Sequence, residues 1–549
     1  MSLSTSQRRH FAMFFHRALA CLAVADLAQA AGSKIHWGPC DPGEFNTTLS
    51  LQCGTLRVPL DYSHPDSSSK IGLKVVKIPA AVQPSRGGIQ LNFGGPGFPS
   101  RQTAVSFGPL LQKLSGDVYD LLAFDPRGTG TTIPFICTDD PFTIGQMLDE
   151  MGSGNASDTA IGRLWARGEV DANICKLHGN GNDTGEFIGT ASVARDIISL
   201  ADALGEDGML RYWGFSYGTT LGATVAAMFP ERVDKLVIDG VQNPHDYYHA
   251  DADFEEWTDS DKVFSYFFTS CIEAGPGKCA IAAQNKTAAE LEQDAWGFID
   301  AVRAAPIPAG NYLADENGIK SFILQELKDT HGWSTLSQIL AVLVYGSDAR
   351  RRQLLEAVYA AEEAANALGV HSIDSAQRLW GIHCSDRVPR IDSFDEAAAV
   401  FAKLNNISRL VGGLVAYITA HCAQWPWHAS NPYTGDFRVK TKNPILVASN
   451  SRDAHTPLRS ALNVSAGFEG SGFLQVNGTG HATISAPSVC GFRALVTYWI
   501  NGTLPSPGLV CETAQPFDDN EWADVIAEAT GSRNTTSLKE RVVYPRRLL

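Results

Sequence analysis

Short apolar runs alternate with helix-period segments along much of this chain, and that alternation limits the possible folds more than any other feature. Val75 to Ala80, Gly88 to Phe93 and Leu121 to Phe124 each have the length of a buried strand and are each followed by turn residues. Ala191 to Leu204 carries Val193, Ile197, Leu200 and Leu204 on one helical face, with Thr190 placed to cap the helix and Gly205 to end it. Leu210 to Phe215 then reads as a strand, Thr219 to Met228 as a helix and Lys235 to Ile238 as a strand. The alternation returns late, with Pro444 to Ser449 and Phe473 to Val476 as strands and Leu458 to Ala466 and Val489 to Ile500 as helices. Strands covered on both faces read as continuous apolar runs, so this order predicts an α/β fold with a mostly parallel central sheet. Between the two blocks, from about Asn243 to Trp427, the chain is rich in Ala, Glu and Leu and reads as mainly helical. It is expected to lie over the sheet as a cap. The expected organisation is a leader over 1–30, a first core portion over 31–242, a cap over 243–429 and a second core portion over 430–549.

Composition excludes several classes. At 549 residues and 59.1 kDa, with 44% apolar and 19% charged residues, the chain is large enough for one big domain with an insertion, or for two domains. A formal net charge of −15 would repel a polyanion, which argues against a nucleic-acid partner. No uninterrupted apolar run approaches the roughly 20 residues a bilayer span requires, which argues against a membrane-embedded protein. No C-x-x-C pair or His-rich cluster occurs, so no metal and no cofactor are expected.

Residues 1–30 place basic Arg8 and Arg9 before apolar stretches at Phe11 to Phe15 and Ala18 to Val24, and end on Ala28-Gln29-Ala30. This resembles a secretory signal peptide. Arg17 and Asp26 interrupt the apolar part, so a mitochondrial presequence or an unstructured leader stays open. Of 11 cysteines, Cys21 falls in the leader and ten remain, an even number that fits full pairing in an oxidising compartment. Many connectivities are possible; neighbour pairing, 40 with 53, 137 with 175, 271 with 279, 384 with 422 and 490 with 511, would close loops of modest length. Asn-x-Ser/Thr sequons at Asn46, Asn155, Asn182, Asn285, Asn406, Asn463, Asn477, Asn501 and Asn534 add to an extracellular, glycosylated reading.

The chemistry sits at strand ends. Gly214-Phe215-Ser216-Tyr217-Gly218 lies between an expected strand and an expected helix, where a serine on a sharp turn needs glycine neighbours and faces the N–H groups of the following helix. A serine hydroxyl is a poor nucleophile at neutral pH and needs a histidine base, itself oriented by an acid. Past the strand ending near Ser449 stands Asp453, and past the next strand His481. This is the order acid then histidine that such a fold requires. Asp453 could instead cap the helix that follows it, and His455 competes with His481 but shares the acid's own loop. Asn92-Phe93-Gly94-Gly95-Pro96-Gly97 offers side-chain-free backbone whose N–H groups, paired with that of Tyr217, would complete an oxyanion hole.

Gly94-Gly95-Pro96-Gly97, Asp125-Pro126-Arg127-Gly128, the Gly214 to Gly218 turn followed by Thr219, and Leu236-Val237-Ile238-Asp239-Gly240-Val241 together resemble the α/β-hydrolase serine peptidases of the tripeptidyl and prolyl aminopeptidase family. The portion from Cys422-Ala423-Gln424-Trp425 through His481 is similar to the C-terminal region of the tripeptidyl group. The resemblance implies an α/β-hydrolase fold with a helical cap between strands six and seven, a triad of Ser216, Asp453 and His481, and Gly95 and Tyr217 as the oxyanion donors. Phe93 stands where the family usually has proline, and Phe98-Pro99-Ser100 replaces a glycine-rich run. Aminopeptidases of this type hold a free substrate amine with acidic cap residues, for which Glu255 and Glu256 are the candidates. The expected activity is release of short peptides from a free N-terminus through an acyl-enzyme. An extracellular esterase or lactonase acting on a small acyl substrate would use the same triad. A non-catalytic binding protein of this fold would need a broken triad, and all three residues are present.

Overall fold

The computed structural model describes residues 35–149, 156–367, 373–518 and 522–531. The leader, Asn155 and Asn534 lie outside them. Six strands precede the insertion: β1 (Gln52–Pro59), β2 (Lys70–Ile78), β3 (Gly88–Asn92), β4 (Asp120–Phe124), β5 (Leu210–Phe215) and β6 (Val233–Asp239). After the small hairpin β7 (Ile307–Ala309) and β8 (Tyr312–Ala314) come β9 (Leu446–Arg452), β10 (Gly472–Thr479) and β11 (Val510–Cys511). The main sheet has nine strands in the order β1-β2-β4-β3-β5-β6-β9-β10-β11. Every neighbouring pair from β4 to β11 is parallel, while β2 pairs antiparallel with both β1 and β4 and so alone runs against the other strands.

Successive strand side chains point to opposite faces, so a sheet covered on both sides builds two cores. Val75, Leu122, Ile238 and Val447 pack on one face with Ile197, Leu200 and Leu221. Val76, Leu121, Val237 and Leu446 pack on the other with Leu111, Leu114, Leu495 and Trp499. The strand β1 was not expected, because only Leu56 and Val58 face inward while Thr55 and Arg57 are exposed, and an edge strand needs no continuous apolar run.

The helix Thr190–Ala203 buries Val193, Ile197 and Leu200 and is followed by Gly205 at a φ of 70°. Thr190 does not cap it: the N-cap position is Gly189, and the Thr190 hydroxyl goes to Asp386 of the insertion instead. Between β6 and β9 the chain is mostly helical, from Pro244–His249 to Gly412–Ala423, with the β7-β8 hairpin as its only strands among the described residues. The insertion has its own core of Phe264, Phe267, Trp333 and Leu340. No helix among the described residues is long and apolar enough to cross a membrane.

Five disulfides join Cys40–Cys53, Cys137–Cys175, Cys271–Cys279, Cys384–Cys422 and Cys490–Cys511, the neighbour pattern throughout. Asn46, Asn182, Asn285, Asn406, Asn463 and Asn501 are exposed. Asn477 lies half-buried in β10, its amide oxygen accepting from Arg452 and its amide nitrogen donating to Glu512. The Cys137–Cys175 and Cys271–Cys279 bridges are equally buried but close loops of 38 and 8 residues. Chain entropy alone then makes the first more stabilising by about 1.4 kcal/mol. Paired Cys→Ala replacement should lower the denaturation midpoint more for Cys137/Cys175 than for Cys271/Cys279, read by equilibrium unfolding without reductant; the reverse order would contradict a loop-entropy origin.

Candidate active site

The turn between β5 and the helix Tyr217–Met228 is tight enough to dictate its own sequence. Ser216 sits at φ 56° and ψ −128°, a left-handed conformation that costs a non-glycine residue about 1–3 kcal/mol. A Cβ on Gly214 would lie 2.1 Å from the Gly218 carbonyl oxygen, and one on Gly218 would lie 2.6 Å from the Asn92 carbonyl oxygen. Neither position admits a side chain. The strain is held by backbone bonds: the Ser216 N–H donates to the Asp239 carbonyl at 3.2 Å, and the Thr219 hydroxyl donates to the Ser216 carbonyl at 2.6 Å.

The loop after β3 presses against this turn. Gly94, at φ 95°, has no room for a Cβ, which would stand 2.8 Å from both the Phe215 carbonyl oxygen and Ser216 Cβ. The Gly94 N–H donates to Asn92 Oδ1 at 3.0 Å, and Gly95 follows it at φ 110°. Tyr217 opens its helix, where an N–H has no intrahelical acceptor and the helix dipole favours negative charge. Phe93, the departure from the family pattern, is buried with its ring stacked on Phe215 at 5.5 Å and on Phe107 at 5.6 Å, so it packs beneath the turn.

Asp453 follows β9 and is fully buried. It accepts His481 Nδ1 at 3.0 Å, the backbone N–H groups of His455, Thr456 and Ala482 at 2.8, 3.0 and 3.1 Å, and the Thr456 hydroxyl at 2.7 Å. Burial pushes this carboxyl up, but His481 and the donors pull it net below the usual range, so it is ionised at neutral pH. The next helix, Leu458–Gly467, has Pro457 at its N-cap, so the capping role does not fall to Asp453. His481 follows β10, and its backbone N–H donates to the Lys328 carbonyl of the insertion at 2.7 Å. Its Nε2 is buried and has no hydrogen-bond partner among the described residues, which leaves a lone pair for a proton from a hydroxyl. A second carboxylate, Asp239 at the end of β6, is also near but is taken by the Thr483 N–H at 2.7 Å and hydroxyl at 2.6 Å, so Asp453 orients the imidazole.

His455 does not compete for Asp453 with its ring. The ring stacks on His481 at 4.9 Å between centroids and on Trp257 at 4.6 Å, and its Nε2 lies 2.9 Å from Glu256 Oε1. Burial and neighbouring Lys328 hold His455 well below its ordinary value, while burial and Asp253 push Glu256 well above its own. His455 is therefore the neutral imidazole at neutral pH, and Glu256 is driven toward its protonated form. Gln242 donates to Glu256 Oε2 at 3.1 Å and accepts the Thr220 hydroxyl at 2.7 Å, linking Glu256 to the helix behind Ser216.

The two expected amine-binding acids separate here. Glu256 reaches the triad through His455. Glu255 is turned to the helix Leu458–Gly467, where Ser460 and Asn463 bond its carboxylate at 2.8 and 2.9–3.0 Å, and Asn243 adds a contact at 3.2 Å. Its oxygens are occupied by structural donors, so Glu255 is corrected to a tether between the insertion and the core. Sequence reasoning missed Gln242, Thr456 and Lys328, whose contributions come from position after folding; a lone polar residue beyond a strand end carries no motif.

Residues 93–263 match the family model described as alpha/beta hydrolase fold, and residues 408–511 match the model described as TAP-like protein. The chain is 27% identical over 509 residues to a tripeptidyl aminopeptidase of Streptomyces coelicolor, covering 89% of this chain and 88% of that protein. It is 26% identical over 517 residues to the serine protease Hip1 of Mycobacterium tuberculosis, covering 87% and 91%. It is also 26% identical over 498 residues to a carboxylesterase B of the same organism, covering 86% and 89%. Fold and matches define the class: this is an α/β-hydrolase-fold serine hydrolase. Within that class it resembles the tripeptidyl aminopeptidases over most of its length.

The geometry separates the two carboxylates functionally. Asp453→Asn should lower kcat by roughly 10³–10⁴-fold by stabilising the wrong imidazole tautomer, with KM little changed. Asp239→Asn, which keeps an acceptor for Thr483, should cost no more than about tenfold. Steady-state kinetics on a chromogenic ester or anilide reads both, and equal losses would contradict the assignment.

Proposed function

We propose that the protein is a secreted exopeptidase that releases short peptides from a free N-terminus through an acyl-enzyme on Ser216. The observation that carries the acyl-enzyme part of this reading is the buried Asp453–His481 pair with a vacant Nε2, on the sheet edge that also bears the strained Ser216 turn. The Ser216 hydroxyl attacks the scissile carbonyl carbon while His481 Nε2 takes its proton. The tetrahedral oxyanion is met by the Tyr217 and Gly95 N–H groups, each such donor being worth about 3 kcal/mol. Collapse breaks the C–N bond, and His481 returns the proton to the departing amine. Water, deprotonated by His481, then hydrolyses the ester and restores Ser216.

The aminopeptidase side of the proposal is supported by acidity on the insertion. Asp246, Asp253 and Glu256 lie within electrostatic reach of one another, with Arg387 as the cation paired to Asp253 at 2.7 Å. Burial and neighbouring carboxylates push Asp246 up to about 6 and hold Glu256 well above its ordinary value, which is the electrostatic condition under which an arriving ammonium would be stabilised by their ionisation. The relatives named tripeptidyl aminopeptidase point to the same substrate class. Export is supported by the five disulfides and by the leader-like first 30 residues. The relative named carboxylesterase B is the observation that favours an ester substrate instead.

Tripeptide anilides with a free amine should be hydrolysed with kcat/KM at least about a hundredfold above their N-acetylated forms, as expected if a desolvated ion pair of roughly 3 kcal/mol is lost. Glu256→Gln should shrink that ratio. Equal rates for free and blocked substrates, with brisk turnover of simple acyl esters, would overturn the aminopeptidase reading and favour the esterase.

A further inference from the structure

One buried carboxylate takes no part in the mechanism above. Asp386 ends the insertion helix Ile373–Asp386, yet it is turned to the core rather than to the insertion's own interior. Its two oxygens accept the Thr190 N–H at 2.9 and 3.1 Å, and Oδ2 also accepts the Thr190 hydroxyl at 2.5 Å and the Tyr247 hydroxyl at 3.0 Å. Among the described residues no cation pairs with it. Adjacent Arg387 is committed to Asp253 and the Asp251 carbonyl. The charge is held by neutral donors and by the N-terminus of the helix Thr190–Ala203.

The chain of hydroxyls continues to the nucleophile. Tyr217, the residue after Ser216, places its hydroxyl 2.5 Å from Thr190 Oγ1. An ionised carboxylate only accepts, so the Thr190 proton points to Asp386 and the Tyr217 hydroxyl donates to Thr190. The Tyr217 ring also packs on Tyr247 at 5.6 Å, and Tyr247 is itself bonded to Asp386. We infer that Asp386 is a positioning residue: through Thr190 and Tyr247 it fixes the Tyr217 side chain, and so the Tyr217 N–H at the oxyanion, in register with the insertion. This rests on the reading of Ser216 as nucleophile.

The arrangement responds to protonation. A neutral Asp386 carries a proton that it can donate to the Thr190 hydroxyl, which then donates to Tyr217 instead of accepting from it, so the chain to Tyr217 reverses. Burial pushes Asp386 up to about 7 against the pull of Thr190 and Tyr247, so the change falls near neutrality, with the locked form above and the reversed form below. The other titratable groups facing it stay fixed through that range. Tyr217, Tyr247 and Tyr248 are pushed far up by burial, His383 is held down to about 4 and is neutral, and Arg387 is paired.

Asp386→Asn keeps the shape but places an amide donor among donors, and Tyr217→Phe removes only the hydroxyl while leaving the N–H. Each variant and the double variant are assayed for kcat, KM and the rate of fluorophosphonate labelling from about pH 5 to about 9. Each single change should lower kcat and labelling about tenfold above pH 8 with KM within about twofold, less than the loss of a whole oxyanion donor. The double variant should be no slower than the slower single one, because both act through one chain. Below about pH 6 wild type should converge on Asp386→Asn, since both then lack the carboxylate. Wild-type kinetics in Tyr217→Phe, additive losses, or a pH-independent ratio would overturn the inference; should Asp386→Asn not fold, Tyr217→Phe decides alone. Absence of labelling at Ser216 in wild type would instead remove the nucleophile reading, and the inference with it.

Discussion

The contact between the Asp453 carboxylate and the His481 imidazole is the constraint from which the rest of the site follows. It joins two loops that leave adjacent parallel strands, β9 and β10, on the same edge of the sheet. A buried carboxylate is tolerated only when its lone pairs are filled, and here three backbone N–H groups and a hydroxyl fill them alongside the imidazole. The loop after β9 must therefore curl around its own acid. That curl places His455 against His481, and the buried Nε2 of His481 is left without a hydrogen-bond partner among the described residues.

The insertion is tied to this edge at several points. The Lys328 carbonyl takes the His481 N–H, Glu256 meets His455, and Asp386 holds Thr190 beside Tyr217. The first tie ends on His481 itself, the second two positions from Asp453, and the third on Thr190, which bonds Tyr217 beside Ser216. A segment packed around a separate core can move relative to the sheet, so such ties convert its position into the geometry of the elbow and of the imidazole. Burial at these joints also explains the perturbed acids and the depressed histidine that gather beside the candidate triad.

Much of the framework could be read before folding because it is local. The buried strands are apolar without alternation, Gly214 and Gly218 flank Ser216 because carbonyl oxygens occupy the space a Cβ would need, and the cysteines pair with their neighbours in sequence. What could not be read depends on partners far away. Thr190 looks like a helix cap, but Asp386, 196 residues on, supplies a stronger acceptor for its hydroxyl. Glu255 and Glu256 are neighbours in sequence, yet one is consumed by Ser460 and Asn463 and the other reaches His455. Asn477 matches a sequon, and only the strand pairing of β10 shows that Arg452 and Glu512 hold its amide. The edge strand β1 has too few inward residues to announce itself.

The account depends on a hydroxyl, an imidazole and a carboxylate from three separate loops acting on one carbonyl. The most direct measurement is the crystal structure of the protein after reaction with a fluorophosphonate. The account predicts phosphorus bonded to Ser216 Oγ, the phosphoryl oxygen within about 3 Å of the Tyr217 and Gly95 N–H groups, and His481 Nε2 facing the adduct with Asp453 still on Nδ1. An adduct on another side chain, or one on Ser216 with His481 turned away from it, would contradict the account.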